Sequence, residues 1–197
     1  MENLYIIEGS SNSGKTTTIN YLSEFSNIIV FNEFMDHPRR PKSSTNLEEE
    51  LVNQKIFYEI ERERMIKTRE FINKIVFFDR SFLSILAVSY ALEKLGKFKS
   101  YDYAYKLYKS MINEDWFIKP NKVYVLTSSF EEKLKRNNNR LKKLKNNWIK
   151  EEFEFYQNEF YEKIELEFLK TIIDTTNKDK EFAANYIVKE LKRGGNV

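Results

Sequence analysis

The feature that most constrains this chain is a loop motif near its start, Gly9-Ser10-Ser11-Asn12-Ser13-Gly14-Lys15-Thr16. The motif fits the pattern G-x-x-x-x-G-K-[ST] and lies between an apolar run, residues 4–7, and a helix-like stretch, residues 17–22. In that setting the glycines let successive backbone N–H groups turn toward phosphates, and the helix N-terminus adds a positive field. The lysine of such a loop reaches the β- and γ-phosphates, and the next hydroxyl ligates Mg²⁺. The motif predicts a nucleoside triphosphate and Mg²⁺ site formed by Gly9, Ser10, Ser11, Asn12, Ser13, Gly14, Lys15, Thr16 and Thr17.

Composition narrows the class of protein. The chain has 197 residues, with 33 basic and 30 acidic side chains, so its net charge of +3 does not imply a nucleic-acid partner. It contains no cysteine, which excludes disulfides and thiolate metal sites, and its single histidine argues against a histidine-based triad. Without a signal peptide or a run long enough to span a membrane, we expect a single-domain cytoplasmic protein, residues 1–197. The sequence leaves open whether the protein forms a homodimer.

Short apolar runs alternate with helical patterns along the whole chain. This alternation predicts an α/β fold in which a parallel sheet is covered by helices on both faces. The predicted strands are residues 4–8, 28–31, 74–78, 123–126 and 172–173. The predicted helices are residues 15–25, 47–71, 82–95, 101–115, 151–169 and 181–191, and a long loop covers residues 34–46. In the helix over 151–169, one face carries aromatic and apolar residues that we expect in the core: Phe153, Tyr156, Phe160, Ile164 and Phe168.

Two further segments carry charged residues that could bind phosphates or a metal ion. Asp79-Arg80-Ser81 follows the third predicted strand, at the edge where ligands bind in open parallel sheets. Asp79 could hold a water on Mg²⁺, and Arg80 could grip an acceptor phosphate. A basic run predicts a lid of about 130–148 that closes over the phosphates, with a solvated helix face and nucleic-acid binding as alternatives. Its cations are Lys133, Lys135, Arg136, Arg140, Lys142, Lys143 and Lys145.

Several of these segments resemble the thymidylate and deoxynucleoside kinases. Residues 77–87 are similar to the Asp-Arg motif and following helix of thymidylate kinases, and Glu8-Gly9 resembles the opening of the phosphate loop in both groups. Leu134-Lys135-Arg136, with Arg140 four residues on, looks like their basic lid. Residues 153–161 and 173–176 resemble their last helix, last strand and adenine loop.

The resemblance implies a five-stranded parallel sheet in the order 2-3-1-4-5 and transfer of the γ-phosphoryl group of ATP. Lys15, Arg80, Arg136, Arg140 and Glu33 are the candidate catalytic residues, and Thr16 and Asp79 the candidate Mg²⁺ ligands. The implied partner is a small nucleotide or nucleoside acceptor, with no nucleic acid and no membrane. The sequence departs from the thymidylate-kinase pattern at two places that concern the acceptor. Ser11 stands where those kinases usually have an acidic loop residue, and Asn32-Glu33-Phe34 stands where they have Arg-Glu-Pro. Either Arg62 or Arg64 falls near the position of an arginine that contacts the acceptor base.

The acceptor itself is open between two chemistries. A nucleoside hydroxyl needs a carboxylate to take its proton, and Glu33 could act as that base. A monophosphate needs cations, and Arg39, Arg40, Lys42 and Arg80 could supply them. The four cations and the Asp form of the motif at residue 79 favour a nucleoside monophosphate, with a nucleoside or another small-molecule alcohol as the alternative. An ATPase without a small-molecule acceptor is the hypothesis from another class, since a GTPase would need a D-x-x-G segment that the sequence lacks.

Overall fold

Five parallel strands form one sheet in residues 3–139 and 150–193, the part of the chain that this computed structural model describes. The strands are β1 Asn3–Glu8, β2 Ile28–Phe31, β3 Ile75–Asp79, β4 Lys122–Thr127 and β5 Leu169–Asp174. Their order, β2-β3-β1-β4-β5, confirms the predicted order. The central strand β1 and its neighbour β3 are buried along almost their whole length, whereas the edge strand β5 is partly exposed.

Helices cover both faces of the sheet, as the alternation predicted. Alternate residues of β1 enter opposite cores, because successive side chains of a strand point to opposite faces. The helices are α1 Lys15–Leu22, α2 Leu47–Thr68, α3 Phe82–Lys94, α4 Tyr101–Met111, α5 Phe130–Asn138, α6 Glu151–Lys163 and α7 Phe182–Arg193. Leu4 and Ile6 pack with α3, α4 and α6, while Tyr5 and Ile7 pack with α1 and α7.

The start of α2 lies where its capping residues predict it. The Asn46 side chain accepts a hydrogen bond from the Glu49 backbone N at 2.9 Å, which satisfies one of the free N–H groups of the first turn. Glu49 in turn accepts from Thr45 N and Oγ1 at 2.7 and 2.9 Å. The loop before it begins with a short 3-10 helix, Phe34–Asp36.

The helix α6 ends six residues before its predicted end. Lys170 explains the early stop, because its ammonium donates to the carbonyls of Tyr161, Glu162 and Ile164 at 2.7, 3.2 and 3.0 Å. The chain then turns into β5, which begins at Leu169 and is longer than predicted. Phe168 therefore contacts the core from outside the helix.

Within the described residues, no helix combines the length and the apolar character that a membrane crossing requires.

Candidate active site

The phosphate-binding motif forms the predicted turn between β1 and α1. Its backbone takes positive φ at Gly9 (133°), Asn12 (59°) and Gly14 (99°). At Gly9 only glycine fits, because a Cβ there would collide with the backbone carbonyl of Leu126 in β4. Ser10 and Ser13 are fully buried beneath the turn, whereas Thr16 and Thr17 are exposed at the start of α1.

Lys15 lies against the loop that carries it. Its Nζ donates to the Ser10 carbonyl oxygen at 2.6 Å, and only 6% of the residue is exposed. Burial and then the positive charge of Arg80 lower the pKa of Lys15 to about 7, although Asp79, Glu33 and Glu8 oppose the shift. The lysine is therefore in electrostatic range of Arg80, Asp79, Glu33 and Glu8.

Glu8, the last residue of β1, is the centre of a buried hydrogen-bond network that the sequence did not predict. Its Oε1 accepts from Ser81 N and Oγ, both at 2.7 Å, and its Oε2 accepts from Ser84 Oγ at 2.5 Å and Tyr161 Oη at 2.9 Å. These contacts join the phosphate loop to the start of α3 and to α6. The sequence signals for Glu8 were its place at the end of an apolar strand and the Glu8-Gly9 resemblance, and neither identified these partners.

Asp79 and Arg80 lie at the end of β3, next to the loop, as predicted. Burial raises the pKa of Asp79, with Lys15 and Arg80 opposing, and its Oδ1 has no hydrogen-bond partner among the described residues. Arg80 has a left-handed backbone, with φ of 61°, and its N donates to the Ile7 carbonyl at 2.9 Å. Its Nη1 donates to Gly9 O at 3.1 Å and to Ser84 Oγ at 3.2 Å.

Glu33 forms an ion pair with Arg80. The Arg80 Nε lies 2.8 Å from Glu33 Oε2, with 17% and 31% of the two side chains exposed. The structure thus brings together Lys15, Arg80 and Glu33 of the predicted catalytic set.

The other predicted acceptor cations have different contacts. Arg39 pairs with Glu63 on α2, and Arg40 Nη1 donates to the Met35 carbonyl at 2.8 Å. Both arginines are exposed, as is Lys42.

The two arginines of α2 differ in burial. Arg62 is half exposed and pairs with Glu59. Arg64 is buried, pairs with Glu61 at 2.9 Å and lies with its guanidinium 4.2 Å from the centre of the Phe78 ring. Burial raises the pKa of Glu61 to about 7 against the opposing charge of Arg64.

The predicted lid is described only over residues 130–139, which contain α5. The prediction that Lys133 is a lid cation is wrong: it is 1% exposed, pairs with Glu154 Oε2 at 2.6 Å and donates to Ser10 Oγ at 2.7 Å. The helix turns this side chain under the phosphate loop, where α6 supplies its counter-charge. The cations that lie outside the described residues are Arg140, Lys142, Lys143 and Lys145.

Arg136 connects the phosphate loop with the predicted adenine loop. Its Nη1 donates to the Asn12 carbonyl at 3.1 Å and to Thr175 Oγ1 at 3.0 Å, and its Nη2 donates to the Thr175 carbonyl at 2.7 Å. Thr175 Oγ1 also donates to the Ser13 carbonyl at 3.0 Å. The last strand therefore ends against the triphosphate site.

The described residues contain no group of three or more His, Cys, Asp or Glu side chains arranged to hold a metal ion. A cation here would need ligands from a bound triphosphate as well as from the protein. The exposed Thr16 and the unpaired Asp79 Oδ1 are chemically suited to such a shared site.

Strand order, phosphate loop and the charged strand ends place the chain in the fold class of the P-loop nucleoside and nucleotide kinases. More particularly, it is similar to deoxyadenosine kinase from M. mycoides, solved with dCMP and a flexible dCDP, at a TM-score of 0.72 and 17% identity over 96% of this chain and 99% of that chain. Thymidylate kinase from Candida albicans also gives a TM-score of 0.72 at 17% identity, over 98% of this chain and 92% of that chain. The fold that the motif resemblance implied is confirmed. No protein-family profile and no curated protein sequence matches the chain.

Proposed function

We propose that the chain is a kinase that transfers the γ-phosphoryl group of ATP to a small nucleoside or nucleotide. The observation that carries this proposal is the contact between the phosphate loop and the acceptor-side pair: Arg80 Nη1 donates to Gly9 O while its Nε holds Glu33. Phosphoryl transfer depends on positioning and on neutralising charge. A triphosphate bound at Lys15 would lie beside both a cation and a carboxylate.

The same pair supports a nucleoside hydroxyl as the acceptor. Glu33 already neutralises Arg80, and its carboxylate would repel the phosphate of a nucleoside monophosphate. Arg39 and Arg40, which favoured a monophosphate in the sequence, contact Glu63 and the Met35 carbonyl. A neutral hydroxyl, in contrast, would find in Glu33 the carboxylate that it needs.

In this mechanism Glu33 takes the proton of the acceptor hydroxyl as its oxygen attacks the γ-phosphorus. The bond from that phosphorus to the bridging oxygen breaks, and the electron pair leaves with ADP. Lys15 and Arg80 stabilise the negative charge on the transferred group. Arg136, which touches the loop at Asn12, and Arg140 are proposed to contact the triphosphate in the transition state.

Mg²⁺ fits the side chains present, through Thr16 and through a water on Asp79. The ion would neutralise phosphate charge when it is bound with the nucleotide. These two residues would fix the position of the ion, since Asp79 lies at the end of β3 and Thr16 at the start of α1.

The test is a turnover assay with MgATP and a panel of nucleosides and nucleoside monophosphates. We expect phosphorylation of a nucleoside, and Glu33→Gln should lower its kcat by about 10²–10⁴-fold, the usual contribution of a general base. Glu63→Gln is the matched control, because Glu63 is an exposed partner of Arg39 and should leave kcat unchanged. Turnover of monophosphates alone that survives Glu33→Gln would contradict the nucleoside assignment.

A further inference from the structure

Arg64 is a buried arginine whose Nη2 contacts the strand ends that carry the proposed acceptor groups. Its Nη2 lies 3.0 Å from the Arg80 carbonyl oxygen, 3.2 Å from that of Asp79 and 3.4 Å from that of Phe31. Asp79 is the last residue of β3, and Arg80 follows it. Phe31 is the last residue of β2 and lies two residues before Glu33. One guanidinium therefore joins the two strand ends from which Arg80 and Glu33 extend.

The backbone that Arg64 holds is a strained one. Arg80 has φ of 61°, a left-handed conformation that a residue with a Cβ rarely adopts. Non-glycine residues persist in this region when the surrounding structure holds them there. The Arg80 N–H is bound by the Ile7 carbonyl at 2.9 Å, and Arg64 binds the carbonyl oxygen on the other side of the same residue.

The surroundings of Arg64 suit a planar guanidinium. The rings of Phe34 and Phe78 lie 4.8 and 4.2 Å from its central carbon. Its Nη1 donates to Glu61 Oε2 at 2.9 Å, and Glu61 Oε1 accepts from Phe82 N at 3.2 Å. Since a guanidinium has a fixed fork of donors and stacks on aromatic faces, lysine could preserve the charge here but not the full set of contacts.

We propose that Arg64 is a positioning residue for phosphoryl transfer: it holds Arg80 in its left-handed conformation and joins the ends of β2 and β3, so that Arg80 and Glu33 meet beside the phosphate loop. The effect on turnover rests on the kinase activity proposed above, whereas the effect on the Arg80 backbone does not. This role differs from contact with the acceptor base, because Nη1 is bound to Glu61 and Nη2 to backbone carbonyls.

The first test compares Arg64→Lys with Arg69→Lys, a control at the end of the same helix whose side chain is exposed and donates to the Asp115 carbonyl oxygen. We expect Arg64→Lys to keep its affinity for ATP within about twofold while kcat for the acceptor falls about tenfold or more, since small misplacements of reacting groups cost that much. Arg69→Lys should change neither quantity. Arg64→Lys with wild-type kcat at a temperature where it is fully folded would overturn the proposal. So would equal losses in ATP affinity and turnover, the pattern of a general structural defect.

The second test needs no activity and covers a poorly folded Arg64→Lys variant. Glycine adopts the left-handed conformation without a steric penalty, so Arg80→Gly should remove the strain that Arg64 holds. In chemical unfolding, Arg64→Lys should raise the unfolding equilibrium constant about fivefold more in the Arg80→Gly background than in the wild-type background, because only Arg80 can release strain by leaving the left-handed conformation once Arg64 no longer holds it. An equal increase in both backgrounds would refute the backbone-holding role, even if an acceptor is never found.

Discussion

Lys133 offers a sharp test of the difference between the sequence pattern and the folded site. As a solvated lid cation it would contribute little to stability, since surface substitutions are usually within about 0.5 kcal/mol. In the structure its ammonium lies 2.6 Å from Glu154, with 1% and 3% of the two side chains exposed. Removing one partner of such a buried pair leaves an uncompensated charge, which costs about 3–5 kcal/mol. Lys133→Met and Glu154→Gln should each lower the free energy of unfolding by about that amount.

The double variant makes the magnitude specific to the pair. In Lys133→Met/Glu154→Gln neither buried charge remains. The double variant should therefore lower the free energy of unfolding by less than the sum of the two single effects, with a difference of about 2 kcal/mol or more. Urea unfolding followed by circular dichroism measures all four free energies. Lys135→Met is the control, since 72% of that side chain is exposed. A Lys133→Met protein within about 0.5 kcal/mol of wild type would refute the buried pair.

Two further predictions concern the phosphate loop. Since the pKa of Lys15 is lowered from 10.5 to about 7, the folded protein binds fewer protons here than the unfolded chain. Burial of the charged lysine therefore destabilises the folded state by its full amount below pH 7, and this destabilisation is lost as the pH rises toward 10.5. A triphosphate must bind the charged lysine, so its Kd should weaken about tenfold per pH unit above 7, while Lys15→Arg should bind independently of pH; a flat wild-type profile would contradict the shift. Gly9→Ala should abolish ATP binding or folding because its Cβ meets the Leu126 carbonyl, whereas Gly96→Ala, also at positive φ but with open space, should cost only about 1 kcal/mol; ATP binding by a folded Gly9→Ala protein would argue against the loop geometry.

The sequence predicted the parts of the fold that depend on local pattern. Alternating strands and helices predicted a layered parallel sheet, and the loop motif predicted the turn before α1. Asp79-Arg80 and Glu33 each followed an apolar run, so they were expected at the same sheet edge. The pairing of Arg80 with Glu33 required neighbouring strands, and that order came from the resemblance and was confirmed by the fold.

The unpredicted parts depend on partners that are distant in sequence. Lys133 looked like one of several solvated cations, because its counter-charge, Glu154, lies on another helix. The burial of Arg64 rather than Arg62 was also hidden, since the buried face of α2 carries polar side chains, among them Gln54 and Glu61. Apolar periodicity cannot identify a face of that kind. The end of α6 depended on Lys170, a residue of the following strand.

The central claim is that the protein transfers the γ-phosphoryl group of ATP, bound at the phosphate loop, to a nucleoside. The most direct test is to incubate the protein with ATP labelled at the γ-phosphorus and the nucleoside that the panel selects, and to separate the products. We expect the label to move to the nucleoside as ADP forms in equal amount, and Lys15→Ala to lower this transfer about a hundredfold or more while remaining folded. Label released as inorganic phosphate at a rate that no acceptor changes would contradict a kinase and indicate an ATPase.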